Sequence, residues 1–104
     1  MQIELLHINE CPSWGTALKN LRHALIDLDI ADEVQVHLLE SSASQHFGSF
    51  NGSPTITVNG RDIFDIDDYD GELSCRVYWT PQGLRGYPTQ DQIFERLRDI
   101  QTGA

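Results

Sequence analysis

The stretch Ile3-Glu-Leu-Leu-His-Ile-Asn-Glu-Cys11-Pro12-Ser-Trp14 organises the rest of the chain. Its run of Ile and Leu predicts a buried strand over residues 2–8. Pro12 is favoured at the first position of a helix, because it has no N–H group to leave unpaired there. Cys11 would then lie beside free backbone N–H groups at the positive end of a helix, where a thiolate is stabilised. This position marks Cys11 as a candidate nucleophile, and the alternative is a small buried apolar residue.

The pattern of the remaining chain alternates between helices and strands. Apolar residues at spacings of three and four predict an amphipathic helix over residues 12–28. A second strand over 34–39 completes a βαβ unit, whose two strands should be parallel. Residues 41–50 are compatible with a short helix. Strands over 55–58 and 61–64 flank the hairpin dipeptide Asn59-Gly60. A capping box of Thr89 and Gln92 opens a last helix over 89–100.

Length and charge limit the classes of function. The 104 residues predict one domain, 1–104, with an irregular insertion at about 65–87. A net charge of −9 argues against nucleic acid and anionic membranes as partners. No apolar run approaches the roughly 18–20 residues of a membrane-spanning helix, and a cytoplasmic location is predicted. Two cysteines are too few for a disulfide scaffold, so free thiols are expected.

Three landmarks in this order carry a family resemblance. They are Cys11-Pro-Ser-Trp14 after the first strand, Gly52-Ser53-Pro54-Thr55 before the third strand, and the terminal helix. The chain resembles the thioredoxin-like fold over about residues 2–100, apart from the insertion. Within that superfamily it is similar to small bacterial proteins labelled thioredoxin-like or alkylmercury-lyase-like. The resemblance implies an α/β fold with a mixed sheet of about four strands flanked by helices, in the order β-α-β-(α)-β-β-α.

The resemblance also assigns roles to particular residues. Cys11 matches the nucleophilic cysteine of the family, and Pro54 matches its cis-proline. Ser53, which precedes that proline, would offer backbone hydrogen bonds to an extended thiol partner, and the Ser53–Pro54 bond is predicted to be cis. Trp14 departs from the family, since thioredoxins carry their second cysteine there. Tryptophan cannot resolve a mixed disulfide, so ordinary dithiol exchange within one helical turn is not expected.

The insertion contains the second cysteine. Cys75 alternates with polar neighbours in a predicted short strand over 75–79, and it is either a packed core residue or a partner that reaches Cys11. Arg76 could steady a thiolate, although a surface arginine is the simpler interpretation. The acidic run that begins at Asp62 is interpreted as a solvated loop. His7 is interpreted as a packed residue of the first strand.

These observations predict a thioredoxin-like protein with single-cysteine thiol or redox chemistry at Cys11. Cys75 is a conditional second catalytic residue, and Trp14, Ser53 and Pro54 shape the site for a small thiol or a protein thiol or disulfide partner. No cofactor is predicted. Two alternatives remain open: a thioredoxin-like binding module without turnover, and a soft-metal site formed by Cys11 and Cys75, because thiolates favour copper(I), zinc or mercury.

Overall fold

A computed structural model describes residues 1–40, 51–64 and 75–103. In chain order the elements are β1 (Ile3–His7), α1 (Trp14–Asp27), β2 (Val34–Leu38), β3 (Thr55–Val58), β4 (Arg61–Asp62), β5 (Tyr78–Thr80), β6 (Gly83–Arg85) and α2 (Gln90–Thr102). The helix predicted over 41–50 lies outside the described residues. Among the described residues, no helix combines the length and the apolar character needed to cross a bilayer.

A mixed four-stranded sheet forms the centre of the molecule, with the strand order β2-β1-β3-β4. β1 pairs in parallel with β2, so that Leu5 lies opposite Val36. On its other side β1 pairs antiparallel with β3, so that Leu5 lies opposite Ile56. The parallel pairing confirms the βαβ prediction, since α1 supplies the crossover that two parallel strands need. All five residues of β1 are buried, as expected for a central strand.

The main core lies on one face of this sheet. Ile3 and Leu5 point from β1 toward buried residues of α1, β3 and α2, and the two helices also pack against each other. The side chains of a strand alternate between the two faces of a sheet, so Leu6 points the opposite way. It belongs to a smaller apolar cluster with Ile8, Cys11 and Leu39. Cys11 is therefore packed on the face opposite the two helices.

Several boundaries differ from the sequence prediction. α1 begins at Trp14 rather than Pro12, and Ser13 is its N-cap without a side-chain hydrogen bond. Cys11 thus lies two residues before the N-cap instead of directly before the first helical residue. α2 has the predicted capping box between Thr89 and Gln92.

The predicted irregular insertion contains a hairpin within its described part, formed by β5 and β6. The strand predicted over 75–79 is also different. Cys75 makes an isolated parallel bridge with Ser53, and the strand proper begins at Tyr78.

Candidate functional site

The two cysteines of the chain form a disulfide. Cys11 and Cys75 are 64 positions apart, and their Cα atoms are 5.7 Å apart, within the ordinary range for a disulfide. The expectation of two free thiols was therefore wrong. Cys11 follows β1, and Cys75 is bridged to Ser53 just before β3, the neighbour of β1 in the sheet. No local pattern in the sequence predicts this meeting.

Segment 75–78 delivers Cys75 to this position by binding the backbone on both sides of Pro54. The Ser53–Pro54 bond is cis, as predicted. The Arg76 N–H donates a hydrogen bond to the Ser53 carbonyl oxygen at 2.9 Å. The Tyr78 hydroxyl donates to the Pro54 carbonyl oxygen at 2.5 Å. Both carbonyl groups of the cis-proline turn thus accept hydrogen bonds from this one segment.

The two sulfur-bearing residues have very different exposure. Cys11 is 2 % exposed and packs among apolar side chains, whereas Cys75 is an exposed residue. Access is one of the factors that decide which sulfur of a disulfide an external thiolate attacks. The arrangement therefore presents Cys75 to solvent and keeps Cys11 behind it.

Ser53 connects the end of β1 to segment 75–78. Its side chain is 1 % exposed, and its hydroxyl oxygen accepts a hydrogen bond from the Ile8 N–H at 2.9 Å. The Ser53 hydroxyl therefore bonds to the chain just after β1, whereas the Ser53 backbone bonds to segment 75–78. The Ser53 backbone, which the prediction assigns to an extended partner, accepts its hydrogen bond from the Arg76 N–H of the chain itself.

Arg76 is buried, which corrects its interpretation as a surface arginine. Its Nη1 donates to Asp62 Oδ2 at 2.7 Å, and the two side chains are only 3 % and 5 % exposed. The guanidinium also lies 4.5 Å from the centre of the Tyr78 ring. Loss of one partner from a buried ion pair typically costs about 3–5 kcal/mol, because the other charge stays buried without compensation.

Asp62 is held in place by further donors, which corrects its assignment to a solvated acidic loop. The Asn51 side-chain amide donates to Asp62 Oδ2 at 2.8 Å, and the Phe64 N–H donates to Asp62 Oδ1 at 2.9 Å. The rest of the acidic run lies outside the described residues. Burial raises the pKa of the neighbouring Tyr78 phenol, an effect that Arg76 opposes and Asp62 reinforces.

Gly52 permits the close approach of segment 75–78 to the cis-proline turn. Its φ is +101°, and a Cβ placed on Gly52 would lie 2.9 Å from the Arg76 Cβ. Real Cβ atoms do not approach that closely, so any other residue at position 52 would displace Arg76. The turn dipeptide Asn51-Gly52 thus has a tertiary role in addition to its local one.

Trp14 stacks on His7 at the end of β1. Their ring centres are 4.1 Å apart and nearly parallel, and Trp14 also packs against the main core. The indole therefore packs against the main core, as expected for a residue on the apolar face of the helix. Burial lowers the pKa of His7, and a weak contact with the Ile8 carbonyl opposes that shift.

The described residues offer little to a metal ion in this state. They contain no cluster of three or more His, Cys, Asp or Glu side chains suited to one. Cys11 and Cys75 are bonded to each other, so neither is a thiolate ligand until the disulfide is reduced.

Two residues of the site escaped sequence reasoning, namely Asp62 and Tyr78. Asp62 begins an acidic run, which favours a solvated position. Tyr78 alternates with Val77 and Trp79, which places it with Arg76 on the polar face of the predicted strand. The available signal was the sequence Asp62-Ile-Phe64, in which the carboxylate follows a turn and is followed by two apolar residues.

No protein family model, no curated protein and no solved structure matches this chain significantly.

Proposed function

We propose that this chain is a thioredoxin-like thiol–disulfide protein whose Cys11–Cys75 disulfide opens and closes during function. The observation that carries the proposal is the position of that disulfide, directly beside the cis Ser53–Pro54 turn, with one buried and one exposed cysteine. The β2-β1-β3-β4 order, with β1 and β2 parallel and the other pairs antiparallel, supports the family resemblance.

Reduction begins at the exposed cysteine. A low-molecular-weight thiolate attacks Cys75 Sγ, a mixed disulfide forms on Cys75, and the bond to Cys11 breaks with Cys11 leaving as a thiolate. A second external thiol then attacks its counterpart in the mixed disulfide and releases Cys75. Two external thiols are oxidised to one external disulfide, and the protein disulfide is reduced to two thiols.

Cys11 keeps its predicted role as the nucleophile toward a partner. Once segment 75–78 moves aside, the Cys11 thiolate attacks a partner disulfide and expels one partner thiolate. Cys75 then attacks Cys11 Sγ, restores the Cys11–Cys75 disulfide and releases the second partner thiol. Cys75 thereby performs the resolving step that Trp14 cannot perform within the helix.

In the main competing interpretation, the disulfide is permanent and serves only to stabilise the fold. The predicted cytoplasmic location would favour a cycling disulfide, because cytosolic disulfides are usually transient, catalytic or redox-sensing. Exposed disulfides also tend to be the reducible ones. The binding module remains the alternative for a chain that never opens, and soft-metal binding remains an alternative for the reduced chain.

The test is a redox titration of the folded protein. The chain is equilibrated in glutathione buffers of graded potential, alkylated, and weighed by intact-mass spectrometry, with circular dichroism recorded on the same samples. We expect two alkylated thiols to appear together while the fold is retained. Reduction that occurs only with unfolding would refute the proposal.

Matched single-cysteine variants compare the accessibility of the two sulfurs, the property on which the assignment of the attacked sulfur rests. With oxidised glutathione, the Cys11→Ser chain, which keeps the exposed Cys75, should form its mixed disulfide at least roughly tenfold faster than the Cys75→Ser chain, because access limits the reaction of a buried thiol. Equal rates would show that the two sulfurs are equally accessible and would remove the reason for placing the attack on Cys75.

A further inference from the structure

The bonds of segment 75–78 are those expected of a bound partner. The segment bonds covalently to Cys11 through a cysteine, and the following residue donates its N–H to the Ser53 carbonyl. We propose that Cys75-Arg76 is an internal stand-in for the natural partner, and that the groove takes an extended peptide segment in which cysteine is followed by arginine or lysine. This inference rests on the proposed function and names its substrate class.

The backbone contacts define how a partner lies in the groove. The parallel bridge between Ser53 and Cys75 aligns the cysteine of the segment with the residue before the cis-proline. Gly52 allows the next residue to approach closely, as the 2.9 Å separation from the Arg76 Cβ indicates. A partner in this register brings its cysteine sulfur to Cys11 and its next N–H to the Ser53 carbonyl.

Asp62 selects the residue that follows the cysteine. Its carboxylate is 5 % exposed and is already fixed by the Asn51 amide and the Phe64 N–H, and among the described residues Arg76 is the cation that pairs with it. A buried carboxylate that loses its cation is strongly disfavoured. Any segment that displaces Arg76 must therefore bring a positive charge to the same place, and a neutral side chain leaves Asp62 uncompensated.

The internal ligand is imperfect enough to be displaced. Arg76 Nε is buried and has no hydrogen-bond acceptor among the described residues. A charge of −9 on the whole chain also favours the approach of a basic partner segment. Cys75 and Arg76 of the chain itself then occupy the groove until a partner segment, with a cysteine followed by arginine or lysine, displaces them.

The experiment measures peptide selectivity at Cys11. The probes are the peptides Gly-Cys-Arg-Val and Gly-Cys-Gln-Val, each with its cysteine activated as a mixed disulfide with thionitrobenzoate. Attack by the Cys11 thiolate joins the peptide to Cys11 and releases coloured thionitrobenzoate, which carries away the electron pair of the broken bond. The protein is the full-length Cys75→Ser/Arg76→Ala chain, in which the internal thiol and cation are removed.

We expect the arginine peptide to react at least roughly tenfold faster than the glutamine peptide, the value of one charged hydrogen bond in a desolvated site. Adding Asp62→Asn should bring the ratio of the two rates to about one, because no carboxylate is then left uncompensated by the glutamine peptide. Equal rates for the two peptides on the Cys75→Ser/Arg76→Ala chain would overturn the inference and leave the proposed function intact. No reaction of Cys11 with either peptide, on a chain that circular dichroism shows to be folded, would overturn the proposed function itself.

The wild-type chain provides a second measurement, which does not depend on the stability of the variants. After mild reduction, wild type is mixed with each activated peptide and quenched with acid, and peptide mapping locates the mixed disulfide. Preferential capture of the arginine peptide at Cys11 supports the inference. Capture only at Cys75, or without preference between the peptides, counts against it.

Discussion

Reduction of the Cys11–Cys75 disulfide should destabilise the chain by a large and calculable amount. The crosslink joins residues 64 positions apart, and the chain-entropy relation gives about 4 kcal/mol for a loop of that length. Domains of this size are stabilised by about 5–15 kcal/mol in total. The reduced chain is therefore expected to stay folded with a much smaller margin, which a cycling disulfide requires.

The assay is urea unfolding followed by tryptophan fluorescence, with and without a phosphine reductant on the same wild-type protein. The two single variants separate the crosslink from its surroundings. Cys75→Ser places a hydroxyl group at an exposed position and should match reduced wild type. Cys11→Ser places it in the apolar cluster with Leu6, Ile8 and Leu39, and should lose about 1–3 kcal/mol more.

Two results would refute this reasoning. Identical urea midpoints for oxidised and reduced wild type would mean that the disulfide does not constrain the chain in solution. Equal destabilisation by Cys11→Ser and Cys75→Ser would contradict the buried position of Cys11 and the exposed position of Cys75.

Two further predictions concern the surroundings of the site. Burial lowers the pKa of His7 from 6.5, so the unfolded chain binds more protons, and the free energy of unfolding should fall as the pH drops from above 6.5 through the folded pKa. Urea unfolding across this pH range should show a smaller loss of stability at acid pH in His7→Gln than in wild type; parallel curves for the two proteins would contradict the prediction. Gly52→Ala should destabilise the chain by about 1 kcal/mol or more beyond Gly60→Ala, because both glycines have positive φ but only a Cβ at position 52 meets Arg76. Thermal unfolding measures the difference, and equal losses in the two variants would show that Arg76 does not pack so closely.

Some features of the site were predictable because they depend on short stretches of sequence. The buried strand β1, the amphipathic helix after it, the turn at Asn59-Gly60 and the capping box of Thr89 and Gln92 all follow from local periodicity and turn chemistry. The cis Ser53–Pro54 bond was also predicted, from the family resemblance. The direction of β2 follows from the length of the crossover helix.

What only the tertiary structure decided concerns pairs of residues far apart in the sequence. Cys11 and Cys75 could be free, packed or bonded, and Arg76 and Asp62 each appear as surface charges when only their neighbours are considered. Burial and pairing of such groups depend on which elements meet at one end of the sheet. The local periodicity of apolar residues in the sequence does not specify which elements those are. A carboxylate that is buried depends on its arginine partner, because desolvation makes the loss of that partner costly. The sequence by itself determined where strands, helices and turns form, and the packing of segment 75–78 against the cis-proline turn decided which side chains those elements bring together.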